Sequence, residues 1–74
     1  MTYRPMDTEL RSILGMMRKF QQITNQKGSR PERLGENIRK HYRNLSKIPI
    51  QEFSHGLWDE VDEKYHSLFW RTEQ

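Results

Sequence analysis

Apolar residues in this chain recur every three or four positions through three successive stretches, and nowhere do they alternate at period two for long enough to suggest a strand. An α-helix turns once in about 3.6 residues, so this spacing gathers the apolar side chains on one face. The first stretch, from about Met6 to Thr24, carries Leu10, Ile13, Leu14, Met17, Phe20 and Ile23 on one side and leaves Arg11, Arg18, Lys19 and Gln22 mostly outward. Pro5 suits the first turn of a helix, and Asp7 and Glu9 sit near the positive end of its dipole. Asn25-Gln26-Lys27-Gly28 predicts the end of the helix, with a glycine able to take positive φ.

Ser29-Arg30-Pro31-Glu32 has the pattern of a capping box and predicts the start of a second helix. Leu34, Ile38, Tyr42 and Leu45 step along one face of it, with Arg33, Arg39, Lys40 and Arg43 largely off that face. Gly35 costs about 1 kcal/mol in a helix interior relative to alanine, so its place there marks a close approach of two helices. Asn44 to Pro49 breaks the pattern, because the residue before a proline avoids the helical region. The third stretch runs from near Pro49 to about Phe69, with Ile50, Phe53, Leu57, Val61, Tyr65 and Leu68 as its stripe and Trp58 and Phe69 beside it. Ser54-His55-Gly56 is its weak point. The stripe keeps phase across Gly56, which predicts a helix that passes through the glycine.

Three amphipathic helices with short connections predict an all-α fold, a small bundle of three to four helices forming one domain over residues 1–74, whole or a fragment of a larger protein. Only 32% of the residues are hydrophobic, so the core must be thin and built from large side chains: Phe20, Tyr42, Phe53, Trp58, Tyr65, Phe69 and Trp70. Each such aromatic contributes about 1.5–3 kcal/mol when buried. A domain this small often needs a partner, and dimerisation or a bound peptide is a natural supplement.

Composition narrows the chemistry. The chain has no cysteine, which excludes disulfides and thiolate metal sites, and His41, His55 and His66 lack the i,i+4 spacing of a helical zinc site. No cofactor and no metal is expected. No apolar run approaches the roughly 20 residues that span a bilayer, and the N-terminus lacks the apolar core of a signal peptide, so a cytoplasmic location is expected. Residues 1–47 hold eleven Lys and Arg against four Asp and Glu, whereas residues 48–74 hold two against six. The chain is an electrostatic dipole. That weakens a nucleic-acid reading, which favours one continuous basic face, and leaves the acidic end free to attract a basic segment of another protein.

The segment Arg39 to Val61 carries a more specific pattern. It resembles the homology domain shared by the GIT scaffold proteins and the fungal Spa-type polarisome scaffolds. In outline that pattern is Arg-x-Lys-Leu-x-x-Leu-Ser-x-x-x-Phe-x-Glu-Leu-x-x-Asp-Val-x-Asp-Glu-Leu, and it lays onto this sequence without a gap. Arg39, Leu45, Ser46, Glu52, Asp59 and Glu60 match by identity, and Tyr42, Ile50, Phe53, Leu57 and Val61 fall at large apolar positions. Met17-Arg18-Lys19-Phe20 and the polar loop after it are similar to the family's first helix and connection, which extends the likeness over most of residues 10–61. His41, Pro49, Ile50 and Gly56 depart from the pattern, Gly56 standing where the family has an aspartate. The resemblance implies a protein-interaction module of a cell-polarity or signalling scaffold at the cell cortex. Its implied partners are segments of MAP-kinase kinases or Rab GTPase-activating proteins.

The expected partner-binding residues are therefore Tyr42, Ile50, Phe53, Leu57 and Trp58, lining a groove between helices, with Glu52, Asp59 and Glu60 at its edge. Asp59, Glu60, Asp62 and Glu63 also fit the plainer reading of a solvated helix face, and Trp58 that of ordinary core. Glu52 and Asp59 lie two turns apart, but acid–base catalysis needs a pocket with opposed environments, which a thin helical domain rarely supplies. No enzyme activity and no small-molecule substrate is expected, and no membrane partner. Two alternatives from other classes stand beside the scaffold reading: a small nucleic-acid-binding domain using the basic second helix, and a dimerisation unit.

Overall fold

The computed structural model describes residues 4–69. Three α-helices follow one another, α1 (Asp7–Lys27), α2 (Glu32–Leu45) and α3 (Leu57–Phe69), with a 3-10 turn at Ile50–Glu52 between the last two. Among the described residues there is no strand, and the molecule is a small all-α globule. The expected core role of Trp70, the fraying of residues 71–74 and the reading of residues 1–3 lie outside the described residues.

The first turn of α1 closes around Pro5. The backbone N–H of Asp7 donates to the Arg4 carbonyl at 2.9 Å, and the Asp7 carboxylate accepts the Arg4 N–H at 3.0 Å. Asp7 thus reaches back over the proline as the last residue of a capping box does. At the other end Gly28 takes φ 67° and its N–H bonds the Thr24 carbonyl at 3.0 Å, the left-handed stop that the glycine predicts. The helix runs through Asn25, Gln26 and Lys27, which are exposed and carry no apolar side chain by which periodicity registers a turn.

Two expectations are corrected. The capping box at Ser29 does not form: α2 begins at Glu32, Pro31 precedes it with an extended ψ of 95°, and no side chain caps the helix. A box would require Arg30 to be helical, and the proline after it disfavours that conformation. Nor does the third helix pass through Gly56. The chain leaves the 3-10 turn in extended geometry at Phe53 (φ −111°, ψ 155°), and Gly56 takes φ 84° before α3 starts at Leu57. The in-phase stripe is therefore not one helical face. Phe53 still reaches the core, 4% exposed, but from a bend, while Ile50 ends 65% exposed in solvent.

The helix α1 is the centre of the packing, with α2 and α3 both laid against it. Leu10, Ile13, Leu14, Met17 and Phe20 on α1 meet Ile38 and Leu45 from α2 and Val61 and Phe69 from α3. Gly35 admits the close approach: a Cβ built there stands 3.2 Å from Cε2 of Phe20 and 3.7 Å from Cε1 of Phe69.

The helices α2 and α3 are joined largely by rings. Phe53 stacks on Trp58 (centroids 5.6 Å), Trp58 on Tyr42 (5.4 Å), and Tyr42 on Tyr65 at 3.8 Å with planes 1° apart. Tyr65 then meets Phe69 (4.9 Å), and Phe69 meets Phe20 (5.1 Å). Arg30 and Arg39 place their guanidinium groups over the Phe69 end of this column, at 5.8 and 5.1 Å.

Both glycines give measurable outcomes. Gly35→Leu forces volume between Phe20 and Phe69 and is expected to destabilise the fold by about 1–3 kcal/mol, read as a lower urea midpoint. Gly56→Ala meets open space but needs positive φ, so it is expected to lose roughly 1–2 kcal/mol through backbone strain alone, without a change in helical content.

Candidate functional site

The segment between α2 and α3 is held in place by the start of α1. The Asp7 side chain is 1% exposed, and its carboxylate accepts three hydrogen bonds. They come from the Arg4 N–H, the Ser54 N–H at 2.8 Å, and the Ser54 hydroxyl. The Arg4 guanidinium donates to the carbonyl of Gln51. One turn of helix therefore grips the 3-10 turn and the bend after it, from 47 residues away in sequence. Burial by itself raises the Asp7 pKa. The hydrogen bonds from the Ser54 side chain, the Ser54 backbone and the Arg4 backbone, together with the charge of Arg11, outweigh it and hold the carboxyl below its usual 3.8.

With the bend fixed, Ile50 becomes the only large hydrophobic side chain that stands exposed among the described residues. It sits on an apolar shelf. On one side a cleft of about 250 Å³ is lined by Ile50, Phe53 and Trp58 with Leu45, Ser46 and Ile48. On the other, a cleft of about 290 Å³ shares the same three residues and adds Arg4, Ser54, Gly56 and Asp59 among its walls. Trp58 is half-buried, backed by Phe53 and Tyr42.

The expected binding residues are thus partly gathered and partly dispersed. Ile50, Phe53 and Trp58 meet, and Asp59 stands at their rim. Glu60 faces elsewhere: with Asp59, Glu63, Lys64 and Leu68 of α3 and Gln21 of α1 it lines an open trough of about 520 Å³ between the two helices. Glu52 is exposed in the 3-10 turn, and Leu57 packs against the core. Tyr42 lies behind Trp58, in the ring column rather than on the shelf. Its hydroxyl donates to the Asp62 carboxylate, which also pairs with His66 Nε2 at 3.3 Å. Burial first, then the bond to Asp62 and the charges of Asp62 and Tyr65, push the Tyr42 phenol well above its usual pKa, so it remains a donor.

Sequence reasoning missed Leu45 and Ile48 as part of the shelf, and Arg4, Asp7 and Ser54 as its support. Leu45 and Ile48 look like the end of a helical stripe and a loop residue. Only the fold of the bend brings them beside Ile50. Asp7 carries a faint signal in its position two residues after Pro5, where a carboxylate can reach back to a free N–H.

Among the described residues no group of three or more His, Cys, Asp or Glu is placed to hold a metal ion, and no helix is long and apolar enough to cross a membrane. No family model, curated protein or solved structure matches the chain.

The clasp predicts an acid response with a definite sign. Because the folded Asp7 carboxyl lies below 3.8, the unfolded chain binds the extra proton between the two values, and stability rises with pH there. The clasp's contribution is complete above about pH 3.8 and is lost as pH falls through the lower folded value. Asp7→Asn is expected to lower the melting temperature at pH 7 by roughly 5 °C, the scale on which loss of a helix cap moves a domain of this size. It should also flatten the acid limb of a melting-temperature profile measured from pH 2 to 6.

Proposed function

We propose that this chain is a protein-interaction module that seats a short helical or linear segment of a partner on the shelf of Ile50, Phe53 and Trp58. The observation that carries this reading is the exposure of Ile50 beside a half-buried tryptophan. An aliphatic side chain left in water next to an aromatic wall is the arrangement from which interface anchors are made. Such a shelf takes a complementary apolar anchor, and the clefts on either side of Ile50 give that anchor two flanks to enter. Asp59 at the rim favours a partner with a cation next to its anchor, which sets orientation more than affinity.

The likeness of Arg39–Val61 to the GIT and Spa-type scaffold domain supports the same reading. It supplies the partner class to try first: segments of MAP-kinase kinases and of Rab GTPase-activating proteins. On that reading the module belongs to a larger polarity or signalling scaffold acting at the cell cortex and its cytoskeleton.

Ile50 is the residue to vary, since Phe53 is core and its loss would unfold the chain. Peptides of that class, titrated by fluorescence anisotropy against the wild-type chain and Ile50→Asp, are expected to bind the variant at least tenfold more weakly, with an unchanged circular dichroism spectrum. Equal affinities would remove the shelf as the binding surface.

A further inference from the structure

The outward face of α1 carries a glycine that the fold does not use. Gly15 lies in mid-helix and exposed, its φ is not positive, and a Cβ built on it meets nothing within 4 Å. Glycine weakens a helix interior, and no turn or close neighbour within this chain requires one here. Gly35 is the contrast, since there the ring of Phe20 fills the space of the missing side chain. Arg11, Gly15, Arg18 and Gln22 follow at intervals of four, three and four, which is one narrow helical stripe, and all are exposed. Lys19 stands beside it, also exposed. Neither carboxylate of α1 shares this stripe: Asp7 is buried, and Glu9 falls about 150° round the helix at roughly 100° per residue.

The trough between α1 and α3 has the opposite sign and the same rhythm. Gly56, Glu60, Glu63 and Ser67, again spaced four, three and four and all exposed, run along it, with Asp59 and Lys64 on either side. Gln21 lines it from α1. Asp7 meets Ser54 just before α3 and Phe20 meets Phe69 at its end, so the two helices run in the same direction. The basic stripe and the acidic stripe therefore lie side by side on one surface.

We infer that the two stripes are the halves of a homodimer contact, in which α1 of each copy lies in the α1–α3 trough of the other. The contact is separate from the shelf, whose Ile50, Phe53 and Trp58 it does not use. Three considerations select a second copy as the occupant. Surfaces of opposite sign stand next to each other on one molecule, and a two-fold axis running between them, along the helices, turns each onto the other; such a contact is isologous and closes at two copies. The stripes are of equal length, about three turns each, so the same axis sets Arg11 and Arg18 against Glu60 and Glu63 of the second copy. Gly15 falls between the two arginines and lets the backbone of α1 sink toward those carboxylates, where a side chain would hold the helices apart. A nucleic acid or an anionic lipid surface would be drawn to the arginines but repelled by the carboxylates beside them, and neither accounts for the glycine.

A contact this polar is sensitive to salt, since the screening length shrinks from about 10 Å at 0.1 M to about 3 Å at 1 M. The test is sedimentation velocity of the whole chain at about 200 μM. Expected is a dimer at about 50 mM salt whose Kd rises at least tenfold at about 500 mM. Two charge-reversed variants, Arg18→Glu/Lys19→Glu and Glu60→Lys/Glu63→Lys, alter exposed positions only, and circular dichroism checks that both stay folded. Each is expected to be a monomer alone. Mixed in equal amounts they are expected to form a heterodimer, because both halves of the contact then join opposite charges. Gly15→Gln is expected to raise the melting temperature of the monomer at high salt and to weaken dimerisation at least tenfold, two changes that a purely internal role of the glycine would not produce together. Four outcomes would overturn the inference: a monomer at 50 mM salt, no association in the mixture, a Gly15→Gln chain that dimerises as tightly as the wild type, or a dimer that Ile50→Asp abolishes.

Discussion

The arrangement of this molecule turns on one carboxylate. Asp7 stands at the start of α1 yet is removed from water, and an ionised side chain is tolerated there only if its oxygens are well supplied with donors. Arg4 and Ser54 supply them. The result ties the beginning of the first helix to the bend before the last one, across 47 residues. The hydrogen bond of Tyr42 to Asp62 joins α2 to α3 away from the bend, so this tether, with the bond of Arg4 to the Gln51 carbonyl, is the main long-range polar constraint on the bend. Without it the stretch from Pro49 to Gly56 would be a loop with one buried phenylalanine, and Ile50 would have no fixed neighbours.

The second constraint is aromatic. Because α2 and α3 both lie on α1, their mutual contact is left to long side chains, and rings fill the space from Phe53 to Phe20. Gly35 is the complement of this column: a ring edge occupies the place where a Cβ would stand. A thin core is thereby made sufficient by size and orientation of its members rather than by their number. The two polar hydroxyl-bearing rings stay at the half-buried margin, where Tyr42 finds Asp62.

Much of this was legible in the sequence, and the failures are instructive. The apolar spacing of Leu10 to Phe20 and of Leu34 to Leu45 identifies α1 and α2 and their buried faces, and Gly28 marks a helix end and Gly35 a close approach, as the structure has them. The break at Gly56 was hidden because Phe53 and Leu57 both point inward whether the backbone between them is helical or bent. Periodicity reports which residues are buried, not the path between them. The box at Ser29 misled for the converse reason, since a local pattern ignored what Pro31 imposes on Arg30. Of the expected site, Ile50, Phe53, Trp58 and Asp59 come together. Tyr42 is drawn into the ring column and Glu52 into the 3-10 turn, while the turn of the chain at Gly56 sets where Leu57 and Glu60 face, and no one-dimensional reading contains these turns.

The ring column has a consequence of a different kind. Trp58 lies within 5.6 Å of Phe53 and 5.4 Å of Tyr42, and Tyr42 within 3.8 Å of Tyr65, all at fixed angles. Chromophores held so close and so asymmetrically couple optically. The folded chain therefore carries a built-in near-ultraviolet signature, and excitation absorbed by either tyrosine passes to Trp58 before it can be emitted. Loss of side-chain order at the α2–α3 junction restores tyrosine emission and removes the near-ultraviolet dichroism even where helix content is retained. The same stacking that closes the core thus makes the state of the junction directly visible in light, without any label.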